Sequence, residues 1–172
     1  MSEARSFPPI ATPAAHTLIL GSMPGRVSLA AAQYYAHQRN TFWPIMGQLL
    51  DFDPALPYAQ RVAALEKAGI AVWDVLASCV RPGSLDANIA PESIRINDFA
   101  RFFAEHPDIR RVFFNGSMAE SCFRKHVEKT LDRSPFTCQR LPSSSPAHAA
   151  LSLAGKQEAW RVVAITWQKC SA

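Results

Sequence analysis

The chain has 172 residues, 48% of them hydrophobic and 19% charged, with 18 basic side chains against 14 acidic ones for a formal charge of +4. These figures exclude a disordered or collagen-like chain and leave room for one compact domain with a real core. No apolar run could span a bilayer and no leader is recognisable, so a cytoplasmic, membrane-free protein is expected; its mildly basic balance suits a polyanionic partner without requiring one.

Residues 1–15 carry Pro8, Pro9 and Pro13 with little periodicity. They are expected to lie across the surface as an extension of a single domain over residues 16–172. Thr17–Leu20, closed by Gly21, reads as a buried strand. Phe42, Ile45, Met46 and Leu49 fall at helical spacing and predict a helix over Thr41–Leu50, with Pro44 tolerated in the first turn. A second helix, Tyr58–Ala68, stops at Gly69. Ile70–Val75 is the next strand, and Arg81–Glu92 reads as a long loop.

Ile96–Glu105 predicts a third helix capped by Asn97 and stopped before Pro107. Arg110–Phe114 is the third strand, running into Asn115 and Gly116. Ser117 is placed as the cap of a helix reaching Glu128, with Glu120 at the capping-box position. Phe136–Leu141 gives a fourth strand that enters the run PSSSP at 142–146. The last helix is predicted over Leu151–Gln168, burying Trp160, Val163, Ala164 and Trp167. Cys79, Cys122, Cys138 and Cys170 form no C-x-x-C and no zinc-finger spacing with histidine, so reduced thiols, no metal and no cofactor are expected.

Alternating strands and helices imply right-handed crossovers and a mainly parallel four-stranded sheet covered on both faces, a three-layer αβα sandwich. Ligands in such sheets sit beyond the carboxyl ends of the strands. Those ends fall at Gly21–Gly25, Asn115–Ser117 and Pro142–His148, so three polar, turn-rich segments should converge on one edge.

The segment after the first strand is unusually aromatic and polar at once. The run GSMPG at 21–25, followed by QYYAHQRNTFW at 33–43, resembles the first motif of the uracil-DNA glycosylase superfamily, most closely its hypoxanthine-DNA glycosylase branch. LPSSSPAH at 141–148 resembles that branch's second motif. WDVLASC at 73–79, RPGSLD at 81–86 and FFNG at 113–116 are similar to the segments between. The likeness extends from about Thr17 to Trp167.

The resemblance implies a monofunctional DNA glycosylase of base excision repair. Such an enzyme flips a deaminated base, hypoxanthine first and uracil second, out of double-stranded DNA and hydrolyses its N-glycosidic bond. A monomer working without cofactor is expected. Related mismatch-specific enzymes carry a water-positioning asparagine in the first turn, where this chain has Met23. The resemblance moves that role to Asn40, whose amide can both donate and accept; capping the helix that begins at Thr41 is the other use for it.

Tyr35 is expected to stack on the extruded base, with Tyr34 a core aromatic. The backbone of Gly21, Ser22, Met23, Pro24 and Gly25, together with His37, is expected to approach the base. Asn115 is expected either to read its amide-like edge or to serve as an ordinary Asn-Gly turn residue. Arg39, Ser143, Ser144, Ser145, Pro146 and His148 are expected to meet the DNA, the serines through phosphates. Relatives often open the second motif with His or Asn; Leu141 stands there instead.

Asp74 ends the second strand, where it could order water or cap a turn. No lysine lies within either motif, which argues against Schiff-base attack on the sugar. The alternative reading is a non-catalytic DNA- or nucleotide-binding protein that keeps the fold. The absence of a G-x-S-x-G elbow argues against a small-molecule α/β hydrolase.

Overall fold

Three five-residue runs, TLILG, IAVWD and RVFFN, are buried along nearly their whole length. Continuous burial is what strands in the middle of a doubly covered parallel sheet require. The computed structural model describes residues 3–131 and 135–165. In chain order its strands and helices are β1 (Glu3–Arg5), β2 (Thr17–Gly21), α1 (Arg26–Ala31), α2 (Phe42–Leu50), α3 (Tyr58–Lys67), β3 (Ile70–Asp74), β4 (Leu76–Val80), β5 (Arg95–Ile96), α4 (Phe99–Glu105), β6 (Arg111–Asn115), α5 (Ser117–His126), β7 (Thr137–Leu141) and α6 (Leu153–Ala164).

The central sheet has the order β3-β2-β6-β7, all parallel. Alternation of side chains along these strands feeds two separate cores. Leu18, Leu20, Ala71, Trp73, Val112 and Phe114 face one core, closed by Phe99 and Phe102 of α4 and Phe123 of α5. Ile19, Ile70, Val72 and Phe113 face the other, closed by Phe42, Trp43, Ile45 and Met46 of α2 and by Trp160 and Val163 of α6. The molecule is the expected αβα sandwich. Gly21 lies opposite Asp74, and Asn115 opposite Leu141, so the carboxyl ends of the four strands are level.

A second small antiparallel sheet, β1-β4-β5, was not expected. It changes the reading of the first fifteen residues. Glu3–Arg5 pair with Ser78–Val80, and Ile10 bridges Val72, so this segment is partly woven into the structure. The loop predicted over Arg81–Glu92 contains short 3-10 turns at Asp86–Asn88 and Pro91–Ser93.

Two helix starts differ from expectation for identifiable reasons. Helix α4 is capped by Asp98, whose carboxylate accepts from the Arg101 N–H at 3.0 Å. The Asn97 amide instead donates to the Asp74 carbonyl at 2.8 Å and to Ser6 Oγ at 3.3 Å. Helix α5 has Gly116 at its cap and Ser117 inside its first turn, while Glu120 pairs with Arg124 on the next turn rather than closing a capping box. In α6, Trp160 and Val163 are buried as expected and Ala164 is exposed; Trp167 and Cys170 lie outside the described residues. Cys79, Cys122 and Cys138 are free thiols.

Gly116 connects this fold to its functional edge. It sits at φ 96°, in the left-handed region, and a Cβ placed on it would lie 3.1 Å from the Ser143 Cβ. Both the backbone and the neighbouring loop therefore demand glycine. Gly116→Ala is expected to lower stability by about 2 kcal/mol, measured by denaturant unfolding, with the loop at Ser143 displaced.

Candidate active site

Beyond the carboxyl ends of β2, β6 and β7 the three turn-rich segments do converge, enclosing a cavity of about 330 Å³. Gly21–Gly25, Tyr35, His37 and Asn40 form one wall. Ser143–Ser145, Pro146 and His148 form the other, with Asn115 between them. Every residue assigned from sequence to catalysis or base binding lines this space. Arg39 does not; it is exposed outside the lining, and its backbone N–H donates to His37 Nδ1 at 3.1 Å.

The first wall is held by aromatic packing. Tyr35 adopts φ 55°, which turns its ring onto Phe42 in a stack with centroids 4.1 Å apart. Phe42 meets Trp160 edge-on at 6.0 Å, and the Trp160 indole N–H donates to the Pro142 carbonyl at 2.9 Å. The Tyr35 ring of the first motif is thus braced, through the buried rings of Phe42 and Trp160, against the start of the second. Tyr34 is the core aromatic expected, 3% exposed, with Trp43 Nε1 donating to its carbonyl at 2.9 Å.

Asn40 lies at the junction of loop and helix. Its Oδ1 accepts from the Phe42 N–H at 3.0 Å, which fixes the orientation of the amide and also helps to satisfy the start of α2. Both roles weighed for this residue are therefore compatible: it caps the helix and it lines the cavity.

The second wall corrects the reading of Ser144. This residue is fully buried, so it cannot reach a phosphate. Its N–H donates to Asn115 Oδ1 and its hydroxyl accepts from Asn115 Nδ2, both at 2.8 Å. Its carbonyl accepts from the Thr41 N–H at 3.0 Å and from the Thr41 hydroxyl at 3.1 Å. Ser144 is the knot joining β6, the second motif and the start of α2. Asn115 is accordingly clamped, with one amide hydrogen and one oxygen lone pair left for a ligand. Ser143 and Ser145 are partly exposed and brace the loop locally, Ser143 Oγ accepting from the Ser145 N–H at 3.2 Å.

The turn of the first motif is gripped from below by Arg81, whose side chain is 1% exposed. Its guanidinium donates to the Pro24 carbonyl and, at 3.4 Å, to the Met23 carbonyl. It also pairs with Asp86 at 3.4 Å, and Asp86 accepts from the Ser22 hydroxyl at 2.8 Å. Burial raises the Asp86 pKa, against opposing pulls from Ser22 and Arg81. Met23 itself is 6% exposed and belongs to the core closed by α4 and α5. Neither Arg81 nor Asp86 stood out as a site residue in the sequence, although both lie in the segment RPGSLD.

Asp74 closes the floor. It is 3% exposed, its Oδ2 has no hydrogen-bond partner among the described residues, and burial lifts its carboxyl to about 7. The Tyr34 hydroxyl and Arg81 pull the other way, and Asp86 adds to the rise. The Tyr35 hydroxyl is likewise buried and unpartnered, its pKa pushed well up, chiefly by burial and then by Asp74. Gly21 lets both groups come close. A Cβ there would lie 2.7 Å from Asp74 Oδ1 and 3.1 Å from the Tyr35 hydroxyl.

Lys156 approaches the second wall from α6, its Nζ 3.4 Å from the Ser145 carbonyl, with burial lowering its pKa. It lies behind the loop and is not among the residues lining the cavity.

The model of the uracil DNA glycosylase superfamily matches residues 8–167. A hypoxanthine DNA glycosylase of Methanosarcina barkeri is 33% identical over 159 residues, covering 92% of this chain and 96% of that protein. A hypoxanthine DNA glycosylase of Methanosarcina acetivorans is 31% identical over 160 residues with the same coverage. A solution NMR structure from Methanosarcina acetivorans, described as a candidate uracil DNA glycosylase, superposes with a TM-score of 0.79 at 29% identity, covering 95% of this chain and 97% of that one. With the family matched along nearly its whole length and its two motifs facing each other across one cavity, the chain belongs to the uracil DNA glycosylase superfamily.

Proposed function

We propose that this DNA glycosylase excises hypoxanthine, and uracil less readily, from double-stranded DNA by flipping the damaged nucleotide and hydrolysing its N-glycosidic bond. The observation that carries this reading is the cavity itself. It has two motif-bearing walls, a stacked aromatic on one side, and buried polar atoms at its floor without a hydrogen-bond partner among the described residues. A buried polar atom left without a partner costs about 1–3 kcal/mol, which a substrate and its water can recover.

In this reading Tyr35 backs the flipped base and the clamped amide of Asn115 reads its carbonyl and ring N–H. The backbone of Gly21, Ser22, Met23, Pro24 and Gly25 lies along the base and the glycosidic bond, beside His37. Asn40 positions the attacking water. Arg39 and Arg26, both exposed beside the cavity, meet phosphates with Ser143 and Ser145, while Pro146 and His148 shape the edge of the second loop. The placing of Lys156 behind the wall, outside the cavity lining, supports a monofunctional enzyme that leaves an abasic site; in this reading it acts as a monomer.

The test is incubation with duplexes carrying one inosine, uracil or xanthine, followed by alkali and by analysis of the released base. Free hypoxanthine with matching alkali-labile sites, and no borohydride-trapped covalent adduct, is expected. Salt-sensitive duplex binding with no base released from any substrate would instead support a non-catalytic binding protein, the reading that the buried Met23 favours.

A further inference from the structure

We propose that Asp86 sets the base preference of this site, its carboxylate disfavouring bases that carry an oxo group at C2, as uracil and xanthine do and hypoxanthine does not. This rests on the glycosylase reading above and adds a specificity-determining residue to it. Hypoxanthine, uracil and xanthine all present a carbonyl beside a ring N–H. The clamped amide of Asn115 has one hydrogen and one lone pair with which to meet that edge. Such a contact treats the three bases alike. They differ at the next ring carbon, which bears a hydrogen in hypoxanthine and an oxygen in the other two.

Asp86 supplies a charge that senses the difference. Its side chain is 38% exposed and lines the cavity with Ser22, Tyr35 and Asn115. The Arg81 side chain with which it pairs at 3.4 Å is 1% exposed and lies outside the lining. The ion pair is therefore a dipole with its negative end open to the cavity and its positive end beneath the turn. Ser22 does not offset that field, because its hydroxyl already donates to the second carboxylate oxygen at 2.8 Å. Both contacts are donations, and both favour the charged form. The same charge is felt at the stacking ring. The Tyr35 hydroxyl, its pKa raised chiefly by burial and then by Asp74, is pulled down by Asn115 and raised again by Asp86. Asp86, Tyr35 and Asn115 thus border one space.

In the proposed pose Asn115 takes the shared edge and C2 points toward Asp86. An oxo base is then penalised twice. In the bound state its C2 oxygen meets a carboxylate, whereas the C2–H of hypoxanthine meets the same group without repulsion. In the transition state the bonding pair leaves with the base. On uracil that charge is shared with the C2 oxygen; on hypoxanthine it spreads over the imidazole ring, away from C2. Preference for hypoxanthine comes from rejecting its competitors, with no extra contact to hypoxanthine itself.

The test is single-turnover release of base from duplexes carrying one inosine, xanthine or uracil, by wild type, Asp86→Asn and Asp86→Glu. Wild type should release hypoxanthine fastest. Asp86→Asn should raise xanthine and uracil release about tenfold or more relative to hypoxanthine, and intrinsic bond strengths cancel in that comparison with wild type. Asp86→Glu keeps the charge and should keep the wild-type order. Because the amide also loosens the hold on Arg81, thermal melting accompanies each rate, and Asp86→Ser removes the charge a second way if Asp86→Asn does not fold. A merely structural role would lower all three rates together and leave their ratios alone. A folded, uncharged variant whose ratios stay within about threefold of wild type overturns the assignment while the glycosylase reading stands. So does a wild-type protein that releases all three bases equally well. A wild-type protein that releases no base from any duplex overturns both.

Discussion

Asn40→Ala is expected to reduce single-turnover release of hypoxanthine by about 100- to 1,000-fold, the effect of removing one well-placed hydrogen-bonding group from a transition state. The same substitution removes the oxygen that accepts the Phe42 N–H, and loss of such a cap costs about 1 kcal/mol. The two consequences are separable. A melting shift of a few degrees is compatible with a folded protein at assay temperature, and duplex binding should change little because the amide acts on water. Asn40→Asp sharpens the result: it keeps a cap acceptor, so stability should return, while the lost N–H donors should leave the rate low. A fully active Asn40→Ala protein would reduce Asn40 to a helix cap.

Arg81→Ala is expected to destabilise the protein by roughly 3 kcal/mol, since removing one partner of a buried charged network leaves its acceptors unpaired. The Met23 and Pro24 carbonyls would lose their donor, and Asp86 would keep only Ser22. Arg81→Lys should recover part of the stability and little of the activity, because an ammonium cannot span the carbonyls and the carboxylate as the guanidinium fork does. Denaturant unfolding reads the first effect and inosine excision the second. If Arg81→Ala unfolds at the wild-type midpoint, the grip on the first-motif turn contributes nothing.

The central sheet was legible because its inner strands, TLILG and RVFFN, each hold a three-residue apolar run next to turn residues, and because helices lie between them. β4 was not, since Leu76–Val80 follows β3 after a single residue, without the Gly or Pro that marks a turn. The six residues of α1 are too few to show a helical period. At α4 the adjacent Asn97 and Asp98 are equivalent in sequence; only the Asp74 carbonyl, brought in by the fold, decides which one caps.

The site shows the same division. Motif order and strand ends were enough to place Tyr35, Asn40 and Asn115 around one space. The three serines of the second motif are alike in sequence, and it takes the facing Asn115 and Thr41 to single out Ser144 as buried. A lone carboxylate ending an apolar strand marked Asp74 as unusual. That one of its oxygens has no partner among the described residues is a fact of tertiary packing, invisible in the run IAVWD. Arg81 gave no signal at all, since an arginine before Pro-Gly reads as solvated loop until its burial is seen.

The most direct measurement is a single-turnover time course of the wild-type protein on a duplex carrying one inosine, following free base and strand integrity together. Hypoxanthine released in step with alkali-labile sites, on strands that stay intact until alkali is added, is the predicted result. A duplex that is bound but yields neither free base nor an abasic site would contradict it.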